Sequence, residues 1–330
     1  MKNANISAAL RRCALLLPWG VLFLFPVLFP KSYLLSVLIF AGIWGIMLMG
    51  FDVLVGYCGQ LSLGHNAFFA MGAYTTGIMT VKYGIAFPLI PLFSGILCTL
   101  IVAWVIGLPA LRLKGYYLAI ATLGFGLIIN NFLVGFNILT GGASGINYIP
   151  PFKISTLVSF DNDFKFYYLV WGIAAIVFKI SLNFAESRYG RALRAIHEDE
   201  VFASTIRIPV ARYKILAFLY SAACASLAGS LYAHFSGTIT PAGFGFMVSI
   251  HMVIMLFLGG RGTIWGGLVG ALFLKLLSEG LTTFEEYELP ISGIIFILVL
   301  IFLPQGILGG LKDLIMKHRS NISVMRPSGP

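Results

Sequence analysis

YLLSVLIFAGIWGIMLMGFDVLVGYCGQLSLGHNAFF (residues 33–69) is the stretch that decides the fold. Its first part, 33–55, carries one charge, Asp52, and exceeds the ~20 apolar residues needed to cross a bilayer as a helix. The apolar positions do not alternate with polar ones, so a helical bundle fits and a transmembrane barrel does not. The second part breaks the pattern. Gly56, Gly59, Gly64 and Gly72 weaken a helix there, and Gln60, Ser62, His65 and Asn66 put polar side chains beside apolar runs.

The rest of the chain repeats the first part. Of 330 residues, 59% are hydrophobic and only 10% charged, too little charge to cover a soluble domain of this length. The class is an all-α integral membrane protein, a polytopic bundle of about 8–10 transmembrane helices, some broken or re-entrant. Candidate spans are 13–30, 33–55, 60–81, 85–110, 116–136, 167–184, 213–235, 244–259, 263–280 and 290–310. Glycine density makes 60–81 and 244–280 the candidates for broken helices. Residues 1–310 form one transmembrane domain and 311–330 a tail. The run 13–29 follows Lys2, Arg11 and Arg12 without a small-x-small cleavage site, so it is expected to stay as a first helix.

The net charge is +10. Ten crossings gather most basic residues on one face, including Arg112, Lys114, Arg188, Arg191, Arg194, Arg212 and Lys317. Positive residues mark the cytoplasmic side, so both termini are expected there, and no nucleic-acid partner is needed to explain the charge. Two loops are long: 137–166 on the extracytoplasmic face and 185–212 on the cytoplasmic face. Cys13, Cys58, Cys98 and Cys224 lie in apolar stretches without C-x-x-C spacing and read as small buried hydrophobes. No metal-ligand spacing, H-E-x-x-H or G-x-x-x-x-G-K-[ST] occurs, so this chain is not expected to be an enzyme or to bind a cofactor.

Small residues four apart let helices approach closely in lipid. Ser221, Ala225 and Gly229 make one such series, and Gly262, Gly266 and Gly270 another. In the 185–212 loop, Arg191 and Arg194 precede the acidic run Glu198-Asp199-Glu200, with Ala203 and Arg207 following. Arginines alone would suit anionic lipid heads. An acidic run directly beyond them favours docking onto a protein partner, with membrane lipid as the lesser contact.

Six segments in order carry a resemblance: GYCGQLSLGHNAFFAMGAY (56–74), LRLKGYYLAIATLGFG (111–126), LTGGASGI (139–146), YGRALRAIHEDEVFAS (189–204), RYKILAF (212–218) and GGRGTIWGGLVGA (259–271). Together they resemble the permease subunits of branched-chain amino acid ABC importers, most closely the LivM type, over roughly residues 35–310. The resemblance implies a bacterial inner-membrane location and a second, LivH-like permease as partner. It also implies two cytoplasmic ATPases holding ATP and Mg, and an extracytoplasmic binding protein. Leucine, isoleucine and valine would be the substrates; urea or short-chain amides are the alternative. The loop 185–212 would be the ATPase coupling loop, although Arg207-Ile208-Pro209 stands where a glycine-containing turn is common.

Gly59, Gln60, Ser62, Gly64, His65 and Asn66 then form a candidate translocation path. Polar groups inside a membrane are costly unless they face a cavity or each other. Path lining and inter-helix hydrogen bonding stand near parity for the group, and for His65 the structural role is preferred. An autonomous ion-coupled carrier would want carboxylates in mid-span, whereas Asp52 and Glu279 lie near span ends. Asp52 is expected to meet solvent at the interface. A membrane enzyme would want a cluster of Asp, Glu or His at one face, and the single such cluster, 198–200, has a docking pattern.

Overall fold

The computed structural model describes residues 19–27, 32–153, 160–280, 293–294, 297–298, 301 and 306–310. Among them, ten helices of six or more residues lie within 32–280. They are α1 (Ser32–Asp52), α2 (His65–Gly77), α3 (Leu89–Ala110), α4 (Tyr116–Gly135), α5 (Asp163–Glu186), α6 (Arg188–Glu198), α7 (Glu200–Thr205), α8 (Val210–Ser236), α9 (Phe246–Gly259) and α10 (Ile264–Gly280). Residues 19–27 are also helical. The candidate span 290–310 and the tail 311–330 lie largely or wholly outside the described residues, as do the two ends of 13–30.

Among the described residues, five stretches are individually long and apolar enough to cross a membrane: Tyr33–Tyr57, Leu89–Ala110, Tyr116–Gly135, Asp163–Glu186 and Val210–Ser236. α9 and α10 pass the same test only as a pair, and they bend by 113° at the turn between them. The glycine-rich 244–280 is thus a sharply broken element. The expected span 60–81 is shortened as well: its helix begins at His65, after an irregular stretch from Cys58 to Gly64.

α1 is the hub. It is largely enclosed and packs against α8, α10 and α5. Its faces explain why: Ile39, Ile43, Ile46, Met47 and Leu48 are all fully buried, so an all-round apolar helix finds protein on every side. α8 packs in turn on α2 and α3. The α2–α8 crossing is a backbone contact. A Cβ at Gly72 would fall on the Ser226 carbonyl, and one at Gly229 on the Phe69 carbonyl. Hydroxyls fasten both contacts of α8: Thr76 Oγ1 of α2 donates to Ser230 Oγ at 2.8 Å, and Thr99 Oγ1 of α3 donates to Ser226 Oγ at 3.0 Å. Close approach plus short inter-helix hydrogen bonds is how helices associate where lipid removes the hydrophobic drive.

Candidate functional site

The break after α1 is built by its own sequence. α1 widens into a π-turn over Val53–Tyr57, a distortion frequent at functional sites. The chain then turns at Gly59, whose φ of 71° lies in the left-handed region that a side chain resists. A Cβ there would also press on the His197 ring, 2.8 Å from Cδ2. Gln60 N donates back to the Leu54 carbonyl at 3.0 Å, closing the turn.

Three of the four polar side chains beyond it are fully enclosed and bonded within the chain. His65 places one ring nitrogen 2.9 Å from Ser62 Oγ and the other 2.8 Å from Ser221 Oγ, bridging the break to α8. Phe51, Phe68 and Phe218 surround the ring edge-on. Asn66 Nδ2 donates to the Phe244 carbonyl at 3.0 Å, while Ser249 Oγ donates to Asn66 Oδ1 at 3.0 Å. Leu63 N donates to Thr122 Oγ1, and a Cβ at Gly64 would strike the Thr122 carbonyl, so the break is also seated on α4. Gln60 differs. Its Nε2 reaches only the Cys58 carbonyl at 3.3 Å, and its Oε1 is enclosed without a partner.

Asp52 corrects an expectation. It is fully buried, not solvated at the interface. Its Oδ1 accepts a hydrogen bond from Gly262 N at 2.7 Å. The carboxyl group therefore fastens the end of α1 to the turn between α9 and α10. Gly262 sits in that turn with φ 75° and not on a helix face. Gly266 and Gly270 lie on α10, where a Cβ would hit the Gly260 and Met255 carbonyls. On α8, Ser221 bonds His65, Ala225 is fully buried, and Gly229 touches α2.

The 185–212 loop folds into two capped helices on the same end of the bundle. Ser187 Oγ accepts from Tyr189 N and Gly190 N to start α6; Asp199 Oδ1 accepts from Val201 N at 2.8 Å and Phe202 N at 3.0 Å to start α7. These are the side-chain caps that helix N-termini favour. Leu193 and Ile196 bury one face of α6. Arg191 donates to the Glu186 carbonyl, and Arg194 donates to the Ala185 carbonyl and lies 5.0 Å from the Tyr57 ring centroid. Glu200 pairs at 2.8 Å with Lys214 of α8, whose side chain is 2% exposed. Ala203 is the buried residue of α7, and Glu198 is exposed. Val201, Phe202 and Ile206 are 64%, 61% and 54% exposed, leaving an apolar surface on this charged loop. Arg207 follows with φ 61°, a left-handed turn made without glycine. Finally, His197 Nδ1 donates to the Gly56 carbonyl at 3.0 Å, joining α6 to the break after α1.

The family model for the permease component of branched-chain amino acid transport systems matches residues 33–303. The chain belongs to this family. The permease is 32% identical to the high-affinity branched-chain amino acid transport permease LivM of Salmonella typhimurium, over 84% of its own length and 75% of the relative's. It is 33% identical to LivM of Escherichia coli, over 81% and 68%. Likeness to LivH of Escherichia coli is lower, 27% over 81% and 91%. No solved structure matches it.

Three features of this permease were not anticipated from its residues: the Asp52–Gly262 bond, the His197–Gly56 bond and the apolar surface of α7. The first two join positions 210 and 141 residues apart and leave no local pattern. The third had a signal. Val201, Phe202 and Ile206 are large apolar residues in the most charged loop of the chain.

Proposed function

We propose that this permease is the LivM-type subunit of an ATP-driven importer of leucine, isoleucine and valine, set in the bacterial cytoplasmic membrane. Both termini and the α6–α7 loop face the cytoplasm, where most of the basic residues gather. A LivH-like permease completes the membrane pair, two ATPases bind ATP and Mg, and an extracytoplasmic protein delivers substrate. The relatives above are all named for branched-chain amino acids, which favours that substrate class over urea or amides.

The observation that carries this reading is α7. It is a short, doubly anchored helix that presents Val201 and Phe202 outward, with Ile206 exposed directly after it. Exposed apolar side chains on a rigid, polar-rimmed support suit a protein partner more than water. Asp199 and Glu200 serve this surface by fixing it, through the α7 cap and the Lys214 pair, while Glu198 stays free to meet the partner. Motion of the docked ATPase would reach the permease through His197 and Gly56 to the break at 59–64, and through Asp52 to the α9–α10 turn.

In the same reading, the break lines the inner end of the translocation path. Ser62, His65 and Asn66 brace it, Gly59 and Gly64 shape its backbone, and Gln60 Oε1, enclosed without a partner, would accept from a passing ammonium group once the break opens. Replacing Val201 and Phe202 with serine tests the docking surface. ATPase recovery with the permease should fall at least tenfold while membrane insertion persists. Full recovery would remove α7 from the interface.

A further inference from the structure

The segment 19–27 lies antiparallel to α5. Tyr167 and Tyr168 hydroxyls donate to the Leu22 and Phe23 carbonyls at 2.7 and 3.1 Å, and Trp19 packs on Phe178 and Trp171 with ring centroids 5.4 and 6.1 Å away. Between the two helices is a cavity of about 550 Å³ walled by Trp19, Phe23, Phe178 and Leu182. That volume is within the ~300–1,000 Å³ of small-molecule sites. Its one charged lining residue is Lys179.

Lys179 is out of place for a residue paired within the protein. It lies on the outward face of α5 between Ile176 and Ile180, which are 61% and 49% exposed. The described residues offer it no carboxylate. It sits seven residues before the helix end at Glu186, a depth of ~10 Å at 1.5 Å per residue. A lysine stem spans much of that distance, so the ammonium can reach headgroup level while its methylenes stay in the apolar wall.

We propose that this groove is a binding site for an anionic phospholipid, with one acyl chain in the cavity and the phosphate paired to the Lys179 ammonium. A wholly apolar wall ending in a single cation matches that amphiphile in both parts. A neutral zwitterionic lipid would bring its own cation beside Lys179 and lose the charge complement. Gly20 opens onto the groove, and a Cβ there meets nothing within 4 Å, so a larger side chain can fill the space without disturbing the fold.

The test uses the assembled permease complex in vesicles containing acyl-brominated lipid, which quenches nearby tryptophan. The Trp19 signal is the difference between the native complex and its Trp19→Phe variant. Brominated phosphatidylglycerol should compete for the groove roughly fivefold better than brominated phosphatidylcholine, the preference expected from one basic residue. Lys179→Gln should abolish that preference, and Gly20→Leu should reduce quenching by both lipids. Equal quenching in the native complex would overturn the proposal and assign the groove to bulk lipid or to the chain's own N-terminal residues. A preference that survives Lys179→Gln would overturn it equally.

Discussion

Glu200→Gln should release α7 from the bundle. Lys214 is almost wholly enclosed, and the Glu200 carboxylate 2.8 Å away is its partner. Removing one member of a buried ion pair costs about 3–5 kcal/mol, because the remaining charge is left desolvated. Glu200 is itself 32% exposed on its side chain, which places the cost at the lower end, about 3 kcal/mol. That corresponds to a shift of about a hundredfold in the docking equilibrium of α7. A six-residue helix with Ala203 as its buried residue has little else to hold it. The Asp199 cap contributes about 1 kcal/mol. The expected result is faster proteolysis within 199–209 and loss of ATPase co-purification, with the rest of the permease intact. Adding Lys214→Met should restore both, since it removes the enclosed ammonium that Glu200→Gln leaves without a carboxylate. Unchanged protease protection in Glu200→Gln, or failure of the double variant to recover, would refute the anchoring role.

His65→Ala should lower the stability of the purified complex by about 4 kcal/mol, because it empties a packed ring site and strips Ser221 of its partner; an unchanged thermal midpoint would contradict this. Asp52→Asn should cost less than about 1 kcal/mol, because an amide oxygen can still accept from Gly262 N, whereas Asp52→Ala should cost about 1–3 kcal/mol; thermal unfolding of the two variants side by side checks the order. Arg207→Gly should stabilise the loop by about 0.5–1 kcal/mol, the left-handed strain relieved less the extra chain entropy of glycine, read as slower proteolysis of 199–209.

Much of the bundle was legible because apolar length is a local property. The helices α1, α3, α4, α5 and α8 follow runs that any transfer scale would find. The breaks were legible as glycine density but not as geometry. Gly59 and Gly262 mark where the backbone turns left-handed, yet only the packed structure shows that His197 and Asp52 close on those turns. The polar residues at 60–66 illustrate a further limit. Gln60, Ser62, His65 and Asn66 look alike in sequence, since all are polar groups in apolar surroundings. They differ in whether a hydroxyl or carbonyl from α8, α9 or the turn before α9 stands opposite, and that depends on helix register across the bundle. Glu198, Asp199 and Glu200 are a similar case. Three adjacent acids read as one docking cluster, whereas capping, ion pairing and exposure separate them in space.

The most direct measurement is uptake of labelled leucine by vesicles holding the full complex, with ATP at the face bearing α6 and α7 and the binding protein at the other. Uptake that requires ATP and is blocked by unlabelled valine and isoleucine, but not by urea, is the predicted result. Uptake indifferent to ATP would contradict the account at its centre, and entry of urea with leucine excluded would contradict its substrate.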